Sequence, residues 1–295
     1  MTTAEQKGRS LWKESSFYTT LRRLLKGKLA MVGLMIVLVI ALCAIFAEQI
    51  SPYDPIKIDY MNFSLFGAPG GTHLMGTDQL GRDTFSRVIH GARISLSVGF
   101  VAVSIALVLG TMLGLIAGYK GGMLETIIMG AMDTIWAFPT LILALAITTL
   151  LGPSLFNIML AIGIVYTPGF ARLVRSMVLT VRNQEYVESA KVLGLSNRKI
   201  ILRHILPNIT ATIIVQASLN AAQAILAEAS LSFLGLGIQP PEASWGSMLK
   251  ESMQYLDIAP WMSIFPGAAI FLLVLGLNFL GDGLRDALDI KIRID

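Results

Sequence analysis

One cysteine, three histidines and a 14% share of charged residues exclude more than any single motif in this 295-residue chain admits. Cys43 has no second thiol for an internal disulfide, and inside an apolar run it reads as a small apolar residue. His73, His90 and His204 stand singly, with no ligand partner three or four residues on, which argues against a metal site. No segment matches G-x-x-x-x-G-K-[ST], so no loop cradles nucleotide phosphates in the P-loop manner. Three scattered histidines also give no Ser/His/Asp or Cys/His constellation, and no catalytic residue is assigned.

The shortage of charge, beside 54% hydrophobic residues and a mean hydropathy of +0.68, leaves too little polar surface for a soluble domain. Six stretches have the roughly 20 apolar residues needed to cross a hydrocarbon core of about 30 Å. They are Ala30–Ala47, Ile94–Ala117, Thr126–Leu151, Ser154–Ala171, Ile209–Ala227 and Ile258–Gly281. Backbone groups have no water partners in lipid, and the chain lacks the alternating ten-residue segments of a membrane barrel. The expected fold is therefore an all-α polytopic bundle of six transmembrane helices. The first apolar run starts too far in, and lacks the small-x-small exit, to be a cleaved signal peptide, so it reads as a retained anchor.

Lys and Arg set the orientation, because positive flanks stay in the cytoplasm during insertion. Seven lie in the tail from Lys7 to Lys28, seven more between the fourth and fifth spans from Arg172 to Arg203, and Lys120 and three C-terminal cations join that side. The opposite side holds only Lys57, Arg82, Arg87, Arg93 and Lys250. Both termini are expected in the cytoplasm. The net charge of +4 is then an insertion bias, and no nucleic-acid partner is inferred. This divides the chain into a cytoplasmic tail (1–29), a first helix (30–50), an external segment (51–93), a five-helix core (94–281) and a cytoplasmic C-terminal tail (282–295). The core contains a cytoplasmic hairpin at 172–208 and an external loop at 229–257.

That hairpin has helical periodicity of its own. Tyr186, Val187, Ala190 and Leu193 share one face, with Glu185, Glu188 and Lys191 on another. Gly194 tolerates the left-handed conformation that ends a helix, and Ser196 or Asn197 can cap a second one. Ile200, Ile201, Ile205 and Leu206 give the second helix an apolar face, and Pro207 marks its end. The expected product is a hairpin with an apolar underside and a polar tip around Leu195–Lys199. Periodicity alone equally fits an amphipathic interfacial loop. Within the spans, Gly110, Gly114 and Gly118 form one stripe suited to close helix packing. Pro139 and Pro168 are candidates for kinks. Asp133 and Glu228 are charges inside spans; each fits an interfacial or capping role as well as contact with a transported solute.

The spacing Glu188-Ser189-Ala190, three residues, Gly194, then His204-Ile205-Leu206-Pro207 resembles the signature of integral-membrane subunits of ABC importers. Ser189 departs from the usual second alanine and His204 from a frequent isoleucine. Gly76-Thr77-Asp78-x-x-Gly81-Arg82-Asp83-x-x-Ser86-Arg87 resembles the external segment of dipeptide, oligopeptide and nickel permeases of the C type. Phe233–Gly237 through Pro240-Pro241 to Trp245-Gly246, and Gly281–Asp289, agree with that branch, while Ile290 replaces an expected proline.

The resemblance implies a type I importer permease with no enzymatic activity, in the cytoplasmic (inner) membrane of a bacterium or archaeon. It implies a homologous second permease, two ATP-binding-cassette ATPase subunits, and a periplasmic or lipid-anchored solute-binding protein. Surrounding membrane lipid completes its partners, and nucleic acid is not among them. No cofactor is implied on this chain, since ATP and Mg would sit on the ATPase subunits. The cargo implied is di- or oligopeptides, with nickel chelates or glutathione as alternatives. By the same resemblance the tip from Gly194 through Leu195, Ser196, Asn197 and Arg198 to Lys199 transmits movement, while Glu188 and Ala190 hold the hairpin in shape. Glu228, near the external face where cargo would be released, is the better of the two pathway candidates. A self-sufficient secondary transporter, which would call for an inverted repeat or broken helices around intramembrane charges, is the competing class.

Overall fold

A chain that must satisfy its backbone amides without water has few solutions, and this one uses helices throughout. The computed structural model describes residues 22–58 and 65–289, and every regular element among them is helical. The tail cations Lys7, Arg9 and Lys13, and Ile290, lie outside the described residues. In chain order the elements are α1 (Lys28–Ile45), α2 (Ala47–Ile50), α3 (Thr84–Lys120), α4 (Gly122–Trp136), α5 (Thr140–Leu151) and α6 (Leu155–Val181). There follow α7 (Glu185–Val192), α8 (Asn197–Ile200), α9 (Leu206–Phe233), α10 (Trp245–Ser252) and α11 (Trp261–Asp289).

Among the described residues five helical stretches are individually long and apolar enough to cross a membrane. The sixth expected span, Thr126–Leu151, is a bent pair rather than a straight helix. α4 and α5 meet at 92° around Pro139. Proline has no N–H to donate and its ring crowds the preceding turn, so the helix ends at Trp136 and a new one starts at Thr140. Pro168, by contrast, lies inside an uninterrupted α6. Four other expected boundaries fall short. α3 begins at Thr84, within the segment read as external, and α6 runs ten residues beyond Ala171. α9 reaches Phe233 and α11 reaches Asp289, so the last helix occupies most of the expected C-terminal tail.

α3 and α6 form the spine, and the glycine stripe is the reason they meet so closely. A β-carbon on Gly114 would lie 2.6 Å from the Ala171 carbonyl oxygen, and one on Gly118 would lie 2.9 Å from Val178 Cβ. A β-carbon on Gly110 would collide with Phe170, and from the other side Gly163 accommodates Ile105. The obstacle at Gly114 is backbone and cannot rotate away. Gly114→Leu should therefore overpack the spine by about 3 kcal/mol, whereas Gly130→Ala, with open space at its β-carbon, should cost nothing. Thermal melting of the two purified variants checks this, and equal midpoints would contradict it.

α1 leans on α11 through a second glycine contact, where a β-carbon on Gly33 would lie 2.6 Å from the Gly276 carbonyl oxygen. Its last carbonyls, orphaned by the end of the helix, are taken by Arg93 of α3. The guanidinium donates to Ala44 O at 2.6 Å and to Ile45 O at 3.1 Å. The central core runs from Val98 and Ala102 of α3 through Phe170 and Val174 of α6 to Ile209 and Ile213 of α9. It continues without a break into Val187, Ala190, Ile200 and Ile205.

Candidate functional site

The segment between α6 and α9 folds into a hairpin whose turn follows from three residues. Gly194 has φ +74° and donates its N–H to Lys191 O at 2.9 Å, while Leu195 donates to Ala190 O at 3.2 Å. These are the paired bonds of a Schellman ending, and the apolar contact that accompanies it is Leu195 packed against the cluster holding Ala190. Open space surrounds the Gly194 α-carbon, so its backbone angle, not crowding, is what calls for glycine. Glu185 and Glu188 sit in the first turn of α7 and Lys191 in its last, the arrangement the helix dipole favours.

The second arm departs from the sequence reading in two ways. Ser196 occupies the N-cap position of α8, but its hydroxyl makes no capping bond. Pro207 does not end the arm. A π-helical turn, Ile201–Ile205, joins α8 to α9, with Leu206 N–H donating to Ile201 O, and Pro207 falls in the first turn of α9. A proline there removes an N–H that a helix start leaves unpaired anyway, and the wider turn absorbs the change of frame. The arm is therefore one rigid piece with the fifth span.

Side chains add further ties. Tyr119, at the end of α3, donates to Asn197 Oδ1 at 2.9 Å, and Asn208 Nδ2 donates to the Tyr186 hydroxyl at 3.1 Å and to His204 O at 2.6 Å. Burial pushes the Tyr186 hydroxyl above its usual pKa, so it stays protonated across the physiological range. Nothing in the spacing pointed to Tyr119; its partner is 78 residues away. Val187 and Ala190 are buried, whereas Leu193, placed with them by periodicity, is 78% exposed at the helix end. Val192 beside it is 88% exposed and Leu202 63%. The tip is thus apolar at Val192 and Leu193 and basic at Arg198 and Lys199. Ser189 and Glu188 also lie on the exposed side, and Glu188 has no ion pair among the described residues. It is an exposed residue in the first turn of the hairpin's first helix.

At the opposite end, the glycine-rich segment 76–87 is a buried polar brace. Asp78 accepts from the backbone N–H of Leu80 and Arg82 at 2.9 Å each, and from Arg82 Nε at 2.6 Å. Arg82 and Arg87 both reach Glu251 Oε2 of α10, at 3.0 and 3.2 Å. Asp83 caps α3, accepting from Ser86 N–H at 2.7 Å, and its other oxygen lies 2.9 Å from His73 Nδ1. Two tryptophans fasten the brace: Trp261 Nε1 donates to Thr77 O at 3.1 Å and Trp245 Nε1 to Val88 O at 2.8 Å. Gly76 and Gly91 leave the room these indoles occupy.

Residues 110–294 match the family described as the binding-protein-dependent transport system inner membrane component. The chain belongs to that family. Residues 10–69 match the N-terminal transmembrane domain of oligopeptide transport permease C. A dipeptide transport system permease protein of Alkalihalophilus pseudofirmus is 48% identical over 284 residues, covering 96% of this chain and 91% of the relative. A glutathione transport system permease protein of Pectobacterium atrosepticum is 43% identical over 286 residues, 97% and 93% of the two chains. A di/tripeptide transport system permease protein of Pseudomonas aeruginosa is 44% identical over 268 residues, 90% and 88%. The chain is thus a multi-pass inner-membrane permease of the ABC importer class.

In this permease the two intramembrane acids have different settings. Asp133 pairs with Arg172 of α6, whose guanidinium lies 4.1 Å from the Trp136 ring centroid, beside the α4–α5 break. Both members are about half exposed. Glu228 is 0% exposed, accepting from Ser232 Oγ at 2.7 Å and Ser95 Oγ at 3.4 Å, so its carboxylate joins α9 to α3 inside the bundle. No group of three or more metal-ligating side chains is assembled among the described residues.

Proposed function

We propose that this permease is one half of a two-permease pathway carrying di- or oligopeptides inward across the cytoplasmic membrane, driven by two separate ATPase subunits. The observation that carries the reading is an exposed apolar tip, Val192 and Leu193, on a hairpin whose underside is part of the bundle core. An apolar surface on a rigid lever has a reason to exist if another protein covers it and pushes it. The tip around Gly194, Leu195, Ser196, Asn197, Arg198 and Lys199 is the proposed ATPase contact. Pro207 belongs to the stem that passes the movement to α9. An external solute-binding protein delivers the cargo, both termini face the cytoplasm, and ATP with Mg acts on the partner subunits, leaving no cofactor on this chain. Small peptides are the proposed cargo because the relatives named for dipeptides and di/tripeptides align over nine-tenths of the chain or more. Glutathione, named for another relative, is itself a tripeptide and is the second cargo to try.

The test is purification of the tagged chain from native membranes in mild detergent, followed by uptake in proteoliposomes with the co-purifying subunits and a labelled dipeptide. Recovery of an ATPase and a second permease, with uptake that needs ATP, is the expected result. A chain that purifies alone and moves solute down an ion gradient would overturn it. In the same assay Glu228→Gln tests the proposal that Glu228 belongs to the pathway. A change in uptake kinetics by a variant that still assembles is expected; unchanged kinetics would leave Glu228 as a buried polar tie between α9 and α3.

A further inference from the structure

The helix pair α1–α11 encloses a cleft of about 520 Å³ at the start of α1 and the end of α11. Arg23, Lys26 and Lys28 line the α1 side, and Asp282 and Asp286 line the α11 side. Among the described residues none of these five charges takes part in an ion pair with another. The cations and carboxylates share one cleft without meeting, which leaves a place for a group bearing both charges.

We propose that this cleft binds the phosphoethanolamine headgroup of a glycerophospholipid, its phosphate toward Arg23, Lys26 and Lys28 and its ammonium toward Asp282 and Asp286. A purely anionic headgroup would satisfy the three cations but face two carboxylates. A choline headgroup has the right charges but no N–H to donate to Asp282 and Asp286, which accept only. The source is a membrane lipid and not a soluble phosphate because of where the cleft sits. Lys28 begins an 18-residue apolar helix, which places its ammonium at headgroup level. Leu29 lines the cleft and is also 63% exposed, so the apolar wall runs out onto the lipid-facing side of α1. α1 is also the least buried of the spans, and a lipid bridging it to α11 would add to the glycine contact that holds the two together. Basic pockets between helices near a membrane surface are known lipid headgroup sites, and the two aspartates are what make this one selective.

The purified full-length chain, exchanged into detergent with equimolar phosphatidylethanolamine, phosphatidylcholine and phosphatidylglycerol of identical acyl chains, is examined by native mass spectrometry. The unmodified chain should retain phosphatidylethanolamine about fivefold over each of the others, as expected from surface charge contacts of this kind. Asp282→Asn/Asp286→Asn should reverse the ranking in favour of phosphatidylglycerol, and Arg23→Gln/Lys28→Gln should lower retention of phosphatidylethanolamine to the level of the other two lipids. Equal retention of the three lipids by the unmodified chain overturns the proposal without any variant having to fold. So does a photo-crosslinker at Leu29 that captures residues 1–21 of the same chain instead of lipid.

Discussion

A Gly194→Pro permease should reach the membrane and keep its bundle, but lose the proposed ATPase subunits on purification and import substrate about a hundredfold more slowly or worse. Gly194 sits at φ +74°, and proline is fixed near −65°, so the chain cannot reverse there as it does now. The substitution also removes the N–H that donates to Lys191 O, and it disfavours the near-helical backbone of Leu193 just before it. Together these cost about 3 kcal/mol or more if the turn is kept, which makes a different turn the cheaper outcome. The consequence is local because a side chain at Gly194 meets no other part of the chain, while Val187, Ala190, Ile200 and Ile205 remain anchored in the core. Val192 and Leu193 would be displaced while α3, α6 and α9 keep their packing. Gly194→Ala, which has room for its methyl but pays about 1–2 kcal/mol of left-handed strain, should fall between the two. Co-purification and ATP-dependent uptake read the effect. Full ATPase recovery and normal uptake by Gly194→Pro would remove the hairpin from the coupling role.

The turn was legible in the sequence because its cause is local: one glycine, one small residue and one leucine at fixed spacing. What followed the turn was not. Pro207 reads as a stop when only its missing N–H is considered, but the π-helical turn before it moves the frame so that the proline starts α9. The spans were legible wherever lipid or core demanded unbroken apolar residues, and their ends were lost where charges entered. Hydropathy stops α3 at Ile94, because Arg87, His90 and Arg93 precede it. Yet the helix continues through them, since Glu251 receives Arg87 and the end of α1 receives Arg93. Those partners are remote in sequence and invisible to any window. Pro139 announced a disturbance, but the 92° angle depends on how α4 and α5 pack against α6, which local chemistry does not set. Glu228 was legible as an intramembrane acid, whereas its enclosure by Ser95 and Ser232 depends on α3 lying alongside.

Glu251→Ala should be the most destabilising single substitution in the layer around the 76–87 segment, costing about 3–5 kcal/mol. Arg82 and Arg87 are 3% and 1% exposed at their side chains, and Glu251 accepts from both of them and from Gln79 Nε2 at 3.2 Å. With Asp78 it makes a group of two cations and two anions that is close to neutral and nearly dry. Guanidinium groups do not deprotonate under these conditions, so removing Glu251 leaves a net positive charge buried with a single carboxylate to hold it. For a chain of this size the thermal midpoint should fall by about 10 °C. Asp54→Asn breaks an exposed ion pair with Lys57, outside the spans, and should cost under about 1 kcal/mol, a useful contrast in the same assay. Glu251→Gln keeps one acceptor and the shape, and should lie between. If Glu251→Ala melts within about 2 °C of the unmodified protein, the brace is not what holds the 76–87 segment to α10. If the large loss is seen, the charges of the 76–87 motif are engaged within the chain. A protein docking at that end of the bundle would then have to find its contacts on other residues, such as the exposed Lys250 next to Glu251.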